Sequence, residues 1–110
     1  MKRTICLIAI SLIAGCISYQ EQIHQRRQQY VIANPRLPDQ IANCILAGKI
    51  VIGMTKQQVR ASSGNPTRIN RSVSSWGVHE QWVYKYETWD DYPTYSYLYF
   101  KNGMLTSWQN

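Results

Sequence analysis

Apolar residues change their spacing three times along this chain, and each change marks a boundary. Ile5-Cys6-Leu7-Ile8-Ala9-Ile10-Ser11-Leu12-Ile13 is an almost unbroken apolar run. A polar stretch follows over 17–36, dominated by Gln20, Gln22, Gln25, Gln28 and Gln29 with Arg26 and Arg27. It has few large apolar groups to bury and reads as a tether, extended or weakly helical. At about 3.3 Å per residue such a stretch reaches up to roughly 65 Å. From Leu37 the spacing becomes helical: Leu37, Ile41, Ile45 and either Cys44 or Gly48 share one face. Pro38 brings a pre-set φ to a helix start and Gly48 is a natural stop, which predicts a first helix over 38–47. Thr55 with Gln58 three residues on forms a capping box, and Val59 faces inward. Ser62-Ser63-Gly64-Asn65-Pro66 ends this second helix, over 55–63, which is too short to hold without packing.

From Thr67 the period falls to two. Strands are predicted over 67–73, 78–87, 95–101 and 104–109. In the second, Val78, Glu80, Trp82, Tyr84 and Tyr86 alternate with His79, Gln81, Val83 and Lys85. An acidic turn, Trp89-Asp90-Asp91-Tyr92-Pro93, leads to the third. Asn102-Gly103 is a strong two-residue hairpin signal and sets a register. Lys101 is placed opposite Met104, Phe100 opposite Leu105, Tyr99 opposite Thr106 and Tyr97 opposite Trp108. One hairpin face then carries Leu98, Phe100 and Leu105, and the other Tyr97, Tyr99 and Trp108. The first is the natural seat for the helices. The second faces solvent, contacts a partner, or forms a small cluster under the tether or a loop. The expectation is an α+β fold: two N-terminal helices packed on one face of a small three- to four-stranded antiparallel sheet.

The apolar run also has the flanks of an export signal. Lys2 and Arg3 precede it, and small residues follow it at Ala14 and Gly15. It is too short for a membrane span, which needs about 20 apolar residues. Ile13-Ala14-Gly15-Cys16 resembles the lipobox of bacterial lipoproteins. Small side chains admit the peptidase before Cys16, and the sulfur takes a diacylglyceryl group as a thioether. Buried methylenes contribute about 0.8 kcal/mol each, so two or three acyl chains anchor effectively for good. The expected organisation is a signal peptide over 1–15, a lipidated terminus and flexible tether over 16–36, and a domain over 37–110. Ile17, and not Asp, follows the cysteine. The sorting rule that this resemblance implies sends such a protein to the outer membrane, facing the periplasm.

Composition changes this picture little. The chain has 110 residues, 45% hydrophobic and 16% charged, with four Trp, eight Tyr and one Phe. That suits one small folded domain. The formal charge is +6, and +4 without the signal. Arg36, Lys49, Lys56, Arg60, Arg68 and Arg71 are scattered and form no dense run, so no nucleic-acid partner is expected. With Cys6 removed and Cys16 lipidated, Cys44 is left alone and reads as a small buried hydrophobe beside Ile45 and Leu46.

Four segments carry a family resemblance. They are Gly53-Met54-Thr55-Lys56-Gln57-Gln58-Val59, Gly64-Asn65-Pro66-Thr67, Glu80-Gln81-Trp82-Val83-Tyr84 and Tyr97-Leu98-Tyr99-Phe100-Lys101-Asn102-Gly103-Met104-Leu105. Together, over about 41–109, they resemble the SmpA/OmlA (BamE-like) family of outer-membrane lipoproteins. The resemblance implies two helices on a small antiparallel sheet, and envelope or outer-membrane assembly proteins as partners. The Gln-Gly-Asn-type segment that family members carry before the first helix has no counterpart here.

No catalytic constellation stands out. His79-Glu80 lacks a second His for a zinc helix, and His24 lies in the tether. Asp90 and Asp91 read as solvated turn residues. No enzyme activity, metal, cofactor or small-molecule substrate is expected. The leading expectation is a lipid-anchored interaction module using Tyr97, Tyr99 and Trp108. The alternative is a periplasmic inhibitor of a hydrolase, because the same helix-and-sheet unit resembles β-lactamase-inhibitor repeats.

Overall fold

Ser18 caps a helix where the sequence suggested a tether. The computed structural model describes residues 18–110, so the signal sequence, Cys16 and Ile17 lie outside it. Helix α1 spans Tyr19–Ala33, and the Ser18 hydroxyl accepts a hydrogen bond from the Glu21 amide at 3.2 Å. None of its residues is fully buried, so the apolar pattern that reveals most helices is missing. What holds α1 is polar. Arg27 Nε donates to the Ser62 carbonyl at 2.9 Å, and Arg26 Nε to the Ala61 carbonyl at 3.3 Å. Tyr30 and Val31 then lie against the core. The folded unit therefore begins well before residue 37.

Helices α2 (Asp39–Leu46) and α3 (Lys56–Ser63) fall close to their predicted positions. Pro38 sits one place earlier than expected, as the residue before α2. The capping box of α3 forms in full: the Gln58 amide donates to Thr55 Oγ1 at 3.2 Å, and the Thr55 amide to Gln58 Oε1 at 3.0 Å. Gly48 leaves α2 at φ +71°, and a Cβ there would collide with the Arg27 guanidinium. The left-handed turn is what calls for glycine here, since the guanidinium at the end of a flexible side chain could move aside.

Four strands follow: β1 (Arg68–Ser74), β2 (Gly77–Tyr86), β3 (Thr94–Lys101) and β4 (Met104–Gln109). They form one antiparallel meander in the order β1-β2-β3-β4. The fold class is α+β with helices first, as expected. Asn102 and Gly103 turn β3 into β4 with positive φ at both positions, as the predicted hairpin demands. Part of the outer edge of β4 is covered by the segment ahead of α3. The Gly53 amide donates to the Leu105 carbonyl, and the Leu105 amide to the Met54 carbonyl, both at 2.8 Å.

The core cluster joins Ile45, Met54, Val59 and Ala61 to Trp82, Tyr84, Leu98, Phe100 and Leu105. Trp82 and Phe100 have ring centroids 4.5 Å apart. Arg60 lays its guanidinium over the Trp82 ring at 4.6 Å. One carboxylate is buried here. Glu80 accepts from Lys56 Nζ at 2.7 Å and from Trp82 Nε1 at 3.0 Å, so both oxygens are satisfied. Tyr84 donates its hydroxyl to the Gly64 carbonyl at 2.8 Å. Burial pushes its phenol well above the usual value, so it remains a donor at any ordinary pH.

Two outcomes test this construction. Replacing Arg26 and Arg27 together by Ala should cost about 1.5–3 kcal/mol. Hydrogen exchange should then show α1 unprotected while β2 and β3 keep their protection. For Glu80, the hydrogen bond from Lys56 and then that from Trp82 hold the carboxyl below its ordinary value. A depressed carboxyl stabilises the fold at neutral pH and loses that contribution as pH falls through its lowered value. Urea midpoints of the wild type and Glu80→Gln should therefore differ clearly at pH 7 and draw together only as pH falls below the ordinary carboxyl range and through the lowered value of Glu80.

Candidate functional site

Side chains alternate across a strand, so the paired residues divide into two faces. Glu80, Trp82, Tyr84, Leu98, Phe100 and Leu105 share the core face. The second face is built in rows. Arg68, Val83, Tyr97 and Gln109 form one row across all four strands, and Asn70, Gln81, Tyr99 and Ser107 form the next. None of these side chains belongs to the core cluster.

The second row is a polar ladder. Asn70 Nδ2 donates to Gln81 Oε1 at 2.9 Å, and Gln81 Nε2 to the Tyr99 hydroxyl at 3.4 Å. That hydroxyl in turn donates to Gln109 Oε1 at 3.5 Å. Tyr97 stacks on Tyr95, with centroids 6.3 Å apart and planes 16° from parallel. Val83, 5% exposed, is the buried centre between Arg68 and Tyr97. Arg68 ends the first row, His79 and Lys101 flank the second, and Lys85 beyond the first is paired with Glu87 at 3.2 Å; no carboxylate side chain lies in the two rows. The face offers stacked rings, amides, hydroxyls and a basic surround. It has the makings of a recognition surface: flat aromatic area with little side-chain freedom, plus adaptable hydrogen-bonding groups.

Of the three residues predicted for this surface, two lie on it. Tyr97 and Tyr99 are both half-buried on the second face. Trp108 is not with them. Tyr99 pairs with Ser107, and Phe100 pairs with Leu105, which leaves Thr106 as an extra residue in β4. Its hydroxyl donates to the Tyr99 carbonyl at 3.1 Å. This bulge reverses the facing of everything after it, so Trp108 stands opposite Leu98 on the core side. There it lines a recess with Ile50, Tyr84, Tyr86 and Leu98, and is 39% exposed. The predicted pairings of Tyr99 with Thr106 and of Tyr97 with Trp108 are corrected accordingly. A signal existed: Leu105 and Trp108 are three apart, so both reach one face only if the strand carries an extra residue.

The remaining candidates are dispersed. Cys16 lies outside the described residues. Cys44 is half-buried and packs against the core. His24 is on α1, beside Gln28 at 3.1 Å, and His79 is on β2. Asp90 and Asp91 are exposed in the β2–β3 loop. Among the described residues no three His, Cys, Asp or Glu side chains are grouped to hold a metal, and no helix is long and apolar enough to cross a membrane. The sequence reading missed the partners of Tyr99, because Asn70, Gln81 and Gln109 meet only through the strand register. No family model, curated protein or solved structure matches the chain.

The two aromatic sites should behave differently on truncation. Trp108→Ala should lower stability by roughly 1–2 kcal/mol, as the loss of a half-buried ring over the core edge. Tyr99→Phe should stay within about 0.5 kcal/mol of the wild type, since the hydroxyl it removes makes only long contacts, 3.4 Å to Gln81 and 3.5 Å to Gln109. Urea denaturation of both variants checks this.

Proposed function

We propose that this chain is a lipid-anchored envelope lipoprotein whose domain is a non-catalytic interaction module. In this reading the helices seat on the Trp82 and Phe100 face of the sheet. The Tyr97 and Tyr99 face is left to bind a protein partner. The observation that carries the reading is that open face: stacked tyrosines and a four-strand polar ladder, outside the core cluster, with no acidic side chain in its rows. Structural faces that only need to meet water do not need ordered aromatic stacks, whereas interface cores are enriched in Tyr and Trp.

The partner class comes from the SmpA/OmlA resemblance. The role is that of an accessory factor in outer-membrane β-barrel assembly or envelope integrity, fixed to the periplasmic side of the outer membrane through Cys16. The basic surround fits a neutral or acidic partner surface. Nothing in the reading calls for a metal, a cofactor or nucleic acid.

A photo-crosslinking residue at position 107, opposite Tyr99 on the same face, in the membrane-bound lipoprotein, supplies the test. Barrel-assembly or envelope proteins are expected as adducts, and Tyr97→Ala with Tyr99→Ala should abolish partner capture without unfolding the domain. A single soluble hydrolase as the adduct would support an inhibitor instead. Adducts unaffected by the double substitution would remove the face from consideration. Intact-mass analysis of the mature protein should show the thioether lipid on Cys16.

A further inference from the structure

We propose that the β2–β3 loop, residues 87–93, rests in the headgroup layer of the same membrane that holds the lipid on Cys16. This placement rests on the lipid-anchor reading above, and the rest follows from the geometry of α1.

The course of α1 can be fixed from its contacts. Its middle, at Arg26 and Arg27, bonds to the last carbonyls of α3. Its end, at Ala33 and Asn34, shares a recess with Gln58 in the first turns of α3. The two helices are therefore antiparallel. From Arg26 back to Tyr19, α1 runs about 10 Å past the end of α3, at 1.5 Å per residue. The same end of α3 carries Gly64, whose carbonyl takes the Tyr84 hydroxyl. Tyr84 stacks on Tyr86, with centroids 6.3 Å apart, and the β2–β3 loop starts at the next residue. The other end of α3 meets the opposite end of the strands, since the Lys56 amide donates to the Gly103 carbonyl in the β3–β4 turn. The free start of α1 and the β2–β3 loop thus lie at one end of the molecule.

Cys16 precedes Ser18 by two residues, a span of at most about 7 Å in any conformation. Without a long tether, an anchor at Cys16 brings that end against the bilayer. The loop presents what an interface favours. Trp89 is 98% exposed and Tyr92 is 79% exposed. Trp and Tyr settle at headgroup depth because their rings are apolar and their edges donate hydrogen bonds. The loop is also ordered from within. The Thr88 hydroxyl has the Asp90 carboxylate and, at 2.8 Å, the Tyr92 carbonyl as alternative acceptors for its one proton. Charge selects the lipid. The loop itself carries Glu87, Asp90 and Asp91 and no basic residue, and Glu87 pairs with Lys85 at 3.2 Å, so the aromatic rings and not electrostatic attraction make the contact, and zwitterionic headgroups suit it better than anionic ones.

The test uses the full lipidated chain in phosphatidylcholine vesicles containing lipid brominated near the headgroup, which quenches nearby Trp emission. Trp76 is a built-in control: it is 80% exposed in the β1–β2 turn, at the far end of the sheet. We expect the bromolipid to quench part of the emission of the wild type and of Trp76→Phe, with that quenching lost in Trp89→Phe. Exchanging part of the lipid for phosphatidylglycerol should not strengthen it. A lipidated, vesicle-bound protein with the same quenching in Trp89→Phe as in the wild type would overturn the placement alone. It would be overturned equally if position 89 crosslinked to a protein in membranes while its Trp escaped quenching. A mature chain without the lipid mass would sink the anchor reading itself, and the placement with it.

Discussion

The last turn of a helix leaves carbonyl oxygens that no residue within that helix can satisfy. In a domain this small, the end of α3 lies among side chains and not in open water, and its treatment organises much of the molecule. Arg26 and Arg27 supply guanidinium donors to the Ala61 and Ser62 carbonyls. Tyr84 supplies its hydroxyl to the Gly64 carbonyl, and the Ser62 hydroxyl reaches back to the Lys49 carbonyl at 2.7 Å. One helix end thus fastens α1, the α2–α3 connection and β2. Cationic donors also suit the negative end of the helix dipole. The other end of α3 is closed by its own capping box and by the ion pair from Lys56 to the buried Glu80.

Elements defined by local chemistry were legible in the sequence. Thr55 with Gln58, Gly64 before Pro66, and Asn102-Gly103 each act over a few residues, and the structure uses each as read. The alternation around Trp82 gave β2 and grouped Glu80, Trp82 and Tyr84 on one of its faces. What was not legible depends on distant partners. Helix α1 has no buried stripe, and its stabilising bonds join residues about 35 positions apart. The bulge at Thr106 has no marker of its own beyond the odd spacing of Leu105 and Trp108. One extra residue there was enough to move Trp108 from the expected surface to the core side. Tyr97 and Tyr99 precede the bulge and kept their face.

The division of labour between the two faces follows from where apolar bulk ran out. Trp82, Leu98, Phe100 and Leu105 join the helix residues Ile45, Val59 and Ala61 in one core cluster. The second face has only Val83 as an apolar centre, and it is completed by tyrosines and amides whose polar ends meet one another across the strands. Such a face tolerates water and also leaves rigid aromatic area available. This is why the proposed partner contact lies on it and not at any cluster of reactive groups.

The arginine pair on α1 also fixes how the molecule would carry a mechanical load. Tension applied at the amino terminus would pass along α1 and reach the end of α3 as shear across two guanidinium contacts. The hydrogen bonds between strands would be spared. Under pull the first element to peel away would be α1, lengthening the leash while the meander stayed whole, so the domain would yield at a clasp before it yielded at its core.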